Sequence, residues 1–208
     1  MEQIEINKTI KLSEHYTLGE MTKTSTGMMN IPSRVSIENL KRVCGWLEAL
    51  RCRYNQRYVL GGSSSSPKLG EDRRGLNERQ VSPFSDHPEV TAAPSSDHPA
   101  HPGTPPNLGG EKDTEEPIII SSGYRSPDVN RKVGGSATSN HLTGCAVDIR
   151  VYGIEQALRY AVILMDYADE TKQNYDEILI ERNRSGGYWL HFAVRPKDNR
   201  RKTMFLQK

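Results

Sequence analysis

The chain has 208 residues, with 28 Lys and Arg against 26 Asp and Glu, so its formal net charge is only +2. This near-balance argues against a protein that binds nucleic acid through bulk positive charge. With 35% hydrophobic residues and no run approaching the roughly 18 apolar residues of a membrane helix, the composition predicts a soluble monomer with no integral membrane segment. Residues 1–8 lack the pattern of a signal peptide, so we expect synthesis in the cytoplasm.

A change of composition divides the sequence. Residues 58–116 are rich in Pro, Ser, Gly, Asp and Lys and lack a sustained apolar periodicity. Such a stretch cannot bury enough apolar surface to offset the entropy lost on ordering. We therefore predict a low-complexity, disordered insertion at 58–116, between two parts of one domain at 1–57 and 117–208.

Secondary structure is predicted on both sides of the insertion. Before it, Ser36 can cap a helix whose apolar residues recur every three or four positions through about Arg53. After it, the predicted elements are a buried strand at 117–122, a short helix capped by Ser126 and ending near Gly134, a strand at 145–151, a long amphipathic helix from Ile154 to Ala168, and two strands at 177–181 and 188–194 joined by a hairpin turn. This order predicts an α+β fold with a small antiparallel sheet and helices packed on one face.

The alternation of side chains along the strands places polar residues on one face of that sheet. Asp148 lies out of phase with its apolar neighbours Val147 and Ile149. His191 likewise lies between Leu190 and Phe192. In the strand at 177–181, the same phase puts Glu177, Leu179 and Glu181 on the face that carries Asp148 and His191.

A third residue completes a set suited to a metal ion. His141 precedes Asp148 by seven positions, and Gly144 permits the tight bend that lets it fold back. A catalytic zinc typically takes three nitrogen or oxygen ligands and keeps one position open, whereas structural sites close with four, mostly cysteine. Each residue alone has an ordinary structural interpretation, but together His141, Asp148 and His191 favour one catalytic Zn²⁺ on the face away from the helices.

The sequence contains several separated motifs: Ser122-Gly123-Tyr124-Arg125-Ser126, Val129-Asn130, Val133-Gly134-Gly135, Ser139-x-His141-x-x-Gly144-x-Ala146-x-Asp148-Ile149 and Trp189-x-His191. Together these motifs resemble those of zinc D-alanyl-D-alanine carboxypeptidases and the related phage endolysin peptidases. They occur in the family's order over residues 117–196, and residues 12–21 also resemble the lead-in of such enzymes.

The resemblance implies a role for each matching residue. His141, Asp148 and His191 would bind zinc, which makes 117–208 the catalytic part of a peptidase domain. Arg125 would lie near the metal-bound carbonyl, with a surface arginine that binds loop carbonyls as the alternative. Ser139 would contact the substrate, with a helix or turn cap as the alternative. Tyr124 and Trp189 line the substrate groove or pack in the core. The implied substrate is the stem peptide of bacterial peptidoglycan.

One departure from the family concerns the general base. Related enzymes commonly carry an acidic residue three positions before the last ligand or a histidine two before it; here those positions hold Tyr188 and Trp189. Strand phase makes Glu181 the leading substitute. The alternative is a surface carboxylate that pairs with Arg182 or Arg184.

Three functions from different classes remain open at this point, and one of them, a structural or assembly protein that holds partners through its long insertion, rests only on composition. The first is a zinc peptidase of peptidoglycan, a D,D-carboxypeptidase or an endopeptidase; a phage or prophage lysis enzyme that acts on the cell wall after release fits the apparent lack of an export signal. The second is a zinc-containing module that binds the cell wall but has lost hydrolysis, as the missing acid near His191 suggests.

Overall fold

Residues 8–60 and 115–207 are described by the structure, a computed structural model. They fall in one compact unit to which the chain contributes on both sides of the undescribed stretch. The insertion predicted at 58–116 therefore lies largely outside the described residues, and only 58–60 and 115–116 of it are seen.

The described residues form four α-helices and five strands. The helices are α1 (Leu18–Met21), α2 (Arg34–Tyr54), α3 (Pro127–Lys132) and α4 (Ile154–Thr171), with a π-helical segment at Asn55–Val59 and a 3-10 helix at Asn140–Thr143. The strands are β1 (Ile120–Ser122), β2 (Ala146–Arg150), β3 (Glu177–Arg182), β4 (Tyr188–Ala193) and β5 (Lys202–Gln207). The predicted α+β class is confirmed.

The five strands form one sheet in the order β1-β2-β4-β3-β5. The first four are antiparallel to their neighbours, but β5 runs parallel to β3. The four strands expected from the sequence are thus antiparallel, but β5, which was not predicted, makes the sheet a mixed one. After β4 the chain returns to the beginning of β3, where the amide of Lys202 donates to the carbonyl of Asp176 at 3.0 Å. From there β5 can only extend alongside β3 in the same direction.

The hydrophobic core lies between one face of the sheet and the two long helices. The strands contribute Val147, Ile149, Ile178, Ile180, Leu190 and Phe192, all 3% exposed or less. From α2, Trp46 packs against Phe192 with ring centroids 5.4 Å apart. The same cluster includes the apolar stripe of α4, so both amphipathic helices bury their apolar sides on this face.

The cap of α2 differs from the prediction. Ser33, rather than Ser36, has the extended backbone of an N-cap, and its hydroxyl accepts a hydrogen bond from the amide of Ser36 at 3.1 Å. Ser33 and Ser36 lie three residues apart, and either hydroxyl is suitable for an N-cap. The helix begins at Arg34, so it starts about one turn earlier than predicted. The cap of α3 agrees with the prediction: the helix begins with Pro127, directly after the N-cap Ser126.

None of the helices in the described ranges 8–60 and 115–207 combines the length and the hydropathy that crossing a bilayer would require.

Candidate metal centre

Two neighbouring strands place Asp148 and His191 side by side. Asp148 on β2 is the direct partner of His191 on β4, and Leu179 on β3 pairs with His191 from the other side. Because neighbours along each strand alternate between faces, these residues lie opposite the row that packs on α2 and α4. Asp148 and His191 are each only 8% exposed, so the site is recessed.

A short 3-10 helix brings His141 to the same place. Ser139 caps it by accepting from the amide of His141 at 3.3 Å, and Gly144 ends it in the left-handed region at φ 73°. A Cβ on Gly144 would also lie 2.5 Å from the carbonyl oxygen of Ser36 on α2. The tight bend predicted at Gly144 is therefore present, and no residue other than glycine fits there.

The three side chains converge on one point. His141 Nε2 lies 3.3 Å from His191 Nδ1 and 3.3 Å from Asp148 Oδ1, and the third side of this triangle, from His191 Nδ1 to Asp148 Oδ1, is 2.9 Å. A tetrahedral zinc ion with bonds of about 2.0–2.1 Å holds its ligand atoms about 3.3 Å apart. The donor set of two imidazoles and one carboxylate can thus hold a metal ion, and its spacing fits zinc.

The outer atoms of two of these side chains are held by the loop between β1 and α3. His141 Nδ1 lies 2.6 Å from the carbonyl oxygen of Gly123, which keeps the proton on that nitrogen and leaves Nε2 as an acceptor. Arg125 donates to Asp148 Oδ2, while its Nε donates to the hydroxyl of Ser122 at 2.8 Å. Asp148 Oδ1 therefore remains aimed at the two imidazoles.

The electrostatics of the site favour a positive charge. Burial by itself raises the pKa of Asp148, but His141 and His191 hold it well below its usual range. Burial by itself lowers the pKa of His191, but Asp148 and Glu177 raise it to about 9. The same carboxylates that favour a proton on His191 attract a metal cation to these atoms.

Two glutamates of β3 flank His191 on the site face. Glu181 pairs with Trp189, and Glu177 pairs with Ala193, so each lies diagonally next to His191. Glu181 is 3% exposed and therefore differs from the surface carboxylate of the alternative interpretation. Glu177 Oε2 lies 3.6 Å from His191 Nε2, and this contact lowers the pKa of Glu177 to about 2.

The residues predicted to contact substrate have mixed surroundings. Tyr124 is 7% exposed and belongs to the hydrophobic core cluster. Trp189 is half-buried on the site face, next to Arg150 and Glu181 in the sheet. Ser139 is half-buried and caps the 3-10 helix, the alternative role foreseen for it. Tyr188 packs against the core, which places it on the wrong face for a base.

Sequence reasoning assigned no role to several polar residues around Glu177. Asn140 Nδ2 donates to Glu177 Oε2 at 3.1 Å and to Asp176 Oδ2 at 2.8 Å, while Arg200 and Lys202 lie 3.0 and 3.4 Å from Glu177 Oε1. Strand phase had placed Glu177 on the correct face. Its charged partners Arg200 and Lys202 come from the chain around β5, which carried no recognisable pattern.

Comparison with known proteins agrees with this geometry. A protein-family model described as Peptidase M15 matches residues 110–173. The matched range contains Arg125, Ser139, His141 and Asp148 and ends before His191. No curated protein matches the chain significantly. The match and the cluster of His141, Asp148 and His191 together support a zinc peptidase.

Proposed function

We propose that the protein is a zinc-dependent peptidase that hydrolyses peptide bonds in the stem peptides of bacterial peptidoglycan, in the manner of D-alanyl-D-alanine carboxypeptidases. The observation that carries this proposal is the triangle of His141 Nε2, Asp148 Oδ1 and His191 Nδ1, with sides of 2.9–3.3 Å. The partial match to Peptidase M15 supports the same reaction class. The stem-peptide substrate follows from the family resemblance of the motifs.

Zinc held by these three atoms would supply Lewis-acid chemistry, which activates water at neutral pH and polarises a peptide carbonyl. The chain itself must move the protons. Glu181 is our candidate for the general base, because it is buried on the site face and its charge adds to the field that raises the pKa of His191. Its carboxylate would take a proton from the attacking water and pass it to the leaving amine.

Arg125 has two tasks in this proposal. Its guanidinium already orients Asp148 and is itself fixed by Ser122. Its donors would also stabilise the negative charge that develops on the carbonyl oxygen, and 17% of the side chain is exposed. Trp189 and Ser139 would contact the stem peptide, and Tyr124 would form the buried side of the substrate groove.

A second function is favoured by one observation. The position three residues before His191, where related enzymes carry an acid, is Tyr188, and its side chain packs in the core. If Glu181 does not act as the base, the protein is a catalytically impaired, zinc-containing module that binds the cell wall. If the protein is instead an active peptidase, it would act at the bacterial cell wall as a phage or prophage lysis enzyme.

Digestion of purified peptidoglycan separates the two functions. We expect the zinc-loaded protein to release D-alanine or to expose new amines, detected by mass spectrometry of the fragments, and Glu181→Gln to lower this rate by about 10²–10⁴-fold with its zinc content retained. The released fragment also distinguishes a carboxypeptidase from an endopeptidase. Binding to peptidoglycan without any hydrolysis by zinc-loaded wild type would contradict the enzyme and leave the binding module.

A further inference from the structure

The orientation of His191 differs from that of His141. His191 turns Nδ1 toward Asp148 Oδ1 and His141 Nε2, so its Nε2 points away from them toward β3. His141 presents Nε2 to the same point and is held from behind by the Gly123 carbonyl. A histidine that binds a metal through Nδ1 must carry its proton on Nε2, and some acceptor must hold that proton in place.

Glu177 is placed to be this acceptor. Its Oε2 lies 3.6 Å from His191 Nε2, slightly farther than in a hydrogen bond, so a small turn of either side chain completes the bond. The carboxylate is largely buried, with 14% of its side chain exposed. It approaches from the β3 side of His191, whereas His141 and Asp148 approach from the other.

Glu177 is itself held on both oxygens. Oε1 lies 3.0 Å from the guanidinium of Arg200 and 3.4 Å from Nζ of Lys202, which begins β5 and pairs directly with Glu177. Oε2 accepts from Asn140, the residue just before His141. These contacts connect β5, β3 and the 3-10 helix that carries His141. A carboxylate with so many fixed partners has little freedom to turn away from His191.

We propose that Glu177 is the positioning residue of His191: it holds the imidazole with its proton on Nε2 and its Nδ1 directed at the metal. This inference rests on the proposed zinc site and adds a role that differs from that of Glu181. Glu177 lies on the side of His191 opposite the ligand triangle, so it acts through His191 and does not touch the substrate. Its loss should therefore weaken metal binding, whereas loss of Glu181 should slow hydrolysis.

Zinc affinity, measured by competition with a chromophoric chelator, tests this role without any peptidase substrate. We expect Glu177→Gln to weaken zinc binding by about 10–100-fold. Glu155→Gln is the matched control, because it removes the same charge from an exposed glutamate of α4 whose ion pair within the described residues is with Arg159. It should bind zinc as wild type does. Equal affinities for Glu177→Gln and wild type would overturn the proposal.

Long-range ¹H–¹⁵N spectra of the histidine side chains test the geometry, and the position of the proton on His191 is read from the wild-type protein alone. In the zinc-loaded protein we expect His191 to carry its proton on Nε2, with a resonance that shifts in Glu177→Gln but not in Glu155→Gln. A proton on Nδ1, or an Nε2 proton that Glu177→Gln leaves unchanged, would overturn the proposal. If the wild-type protein binds no zinc, the proposed metal site itself is contradicted. This result differs from zinc binding that is unaffected by Glu177→Gln, which contradicts only the role of Glu177.

Discussion

The two faces of the sheet are made by alternate residues of the same strands, yet different forces hold them. On the face that packs on α2 and α4, the core residues of β2, β3 and β4, among them Val147, Ile178 and Leu190, are apolar and almost completely buried. On the other face, Asp148, His191 and Glu181 are also buried, at 8%, 8% and 3% exposure. Burial of apolar groups stabilises the fold, whereas burial of charges costs free energy unless each charge is paired.

The difference fits the proposal that one face serves the fold and the other holds a metal ion. The polar face satisfies its charges through specific partners: Arg125 for Asp148, Asp148 and Glu177 for His191, and Arg200 with Lys202 for Glu177. Apolar residues at these positions would have filled the same space without needing a specific partner for each charge. Such an arrangement is expected where a site must keep a charged ligand set in one geometry.

Substitution on the polar face should produce the largest change, and it should be a loss of metal. We expect His191→Ala to weaken zinc binding by at least about a thousandfold, equivalent to about 4 kcal/mol, because one of three ligands is gone. Peptidase activity should fall to background. Isothermal titration with zinc measures the affinity, and unchanged binding would show that His191 is not a ligand.

Substitution of the next residue along β4 should have the opposite result. Phe192 is fully buried on the helix-packed face against Trp46, so Phe192→Ala should lower the free energy of unfolding by about 3–5 kcal/mol. Urea denaturation measures this value. Zinc affinity of the folded protein should stay close to that of wild type, and a large loss of zinc binding would mean that the two faces are not independent.

Arg125 sharpens the comparison within the polar face, because it contacts Asp148 and is also proposed to face the substrate. We expect Arg125→Ala to lower kcat by about 10²-fold and zinc affinity by only about tenfold. Arg131→Ala on α3 is the control, since that side chain is 78% exposed and should change neither. Equal losses of kcat and of zinc content would reduce Arg125 to a support for Asp148.

Asp176 tests the charge pairing behind the site through pH. Burial by itself raises the pKa of this carboxyl, but hydrogen bonds from Arg200, Asn140 and Arg195 lower it to about 2 from an ordinary value of 3.8. A pKa that is lower in the folded state stabilises the fold above the unfolded value, and this contribution is lost as the pH falls toward 2.

Removal of this carboxylate should therefore lower the free energy of unfolding by an amount that depends on pH. At neutral pH this effect should be smaller than those of the substitutions described above. Asp176→Asn should cost about 2 kcal/mol of unfolding free energy at pH 7. The difference from wild type should shrink between about pH 4 and pH 2. Denaturation of both proteins at several pH values measures it. A difference that stays constant down to pH 2 would mean that the ionised carboxylate is not what stabilises this region.

The sequence predicts the helix-packed face and the side on which Asp148 and His191 lie, for a physical reason. The phase of Val147 and Ile149 against Asp148, and of Leu190 and Phe192 against His191, follows from the period of two in any strand. The helix periodicities around Leu47 and in α4 are equally local. Gly144 predicted the bend that returns His141 to the sheet, because a left-handed residue leaves few other choices.

The partners around Glu177 could not be predicted in the same way. In β5, Thr203, Met204 and Phe205 are all exposed, so the strand lacks the alternating apolar pattern that identifies a half-buried strand. Whether β5 runs parallel or antiparallel to β3 depends on how the chain turns after β4, and no local sequence pattern predicts that turn. The contacts of Arg200 and Lys202 with Glu177 therefore appear only in the folded structure.

The most direct test of the metal site is a crystal structure of the zinc-loaded protein with anomalous data collected at the zinc edge. We expect one zinc peak, about 2.0–2.2 Å from His141 Nε2, Asp148 Oδ1 and His191 Nδ1, with at least one position left for water. No peak among these three atoms, or a zinc bound elsewhere while they point apart, would contradict the account.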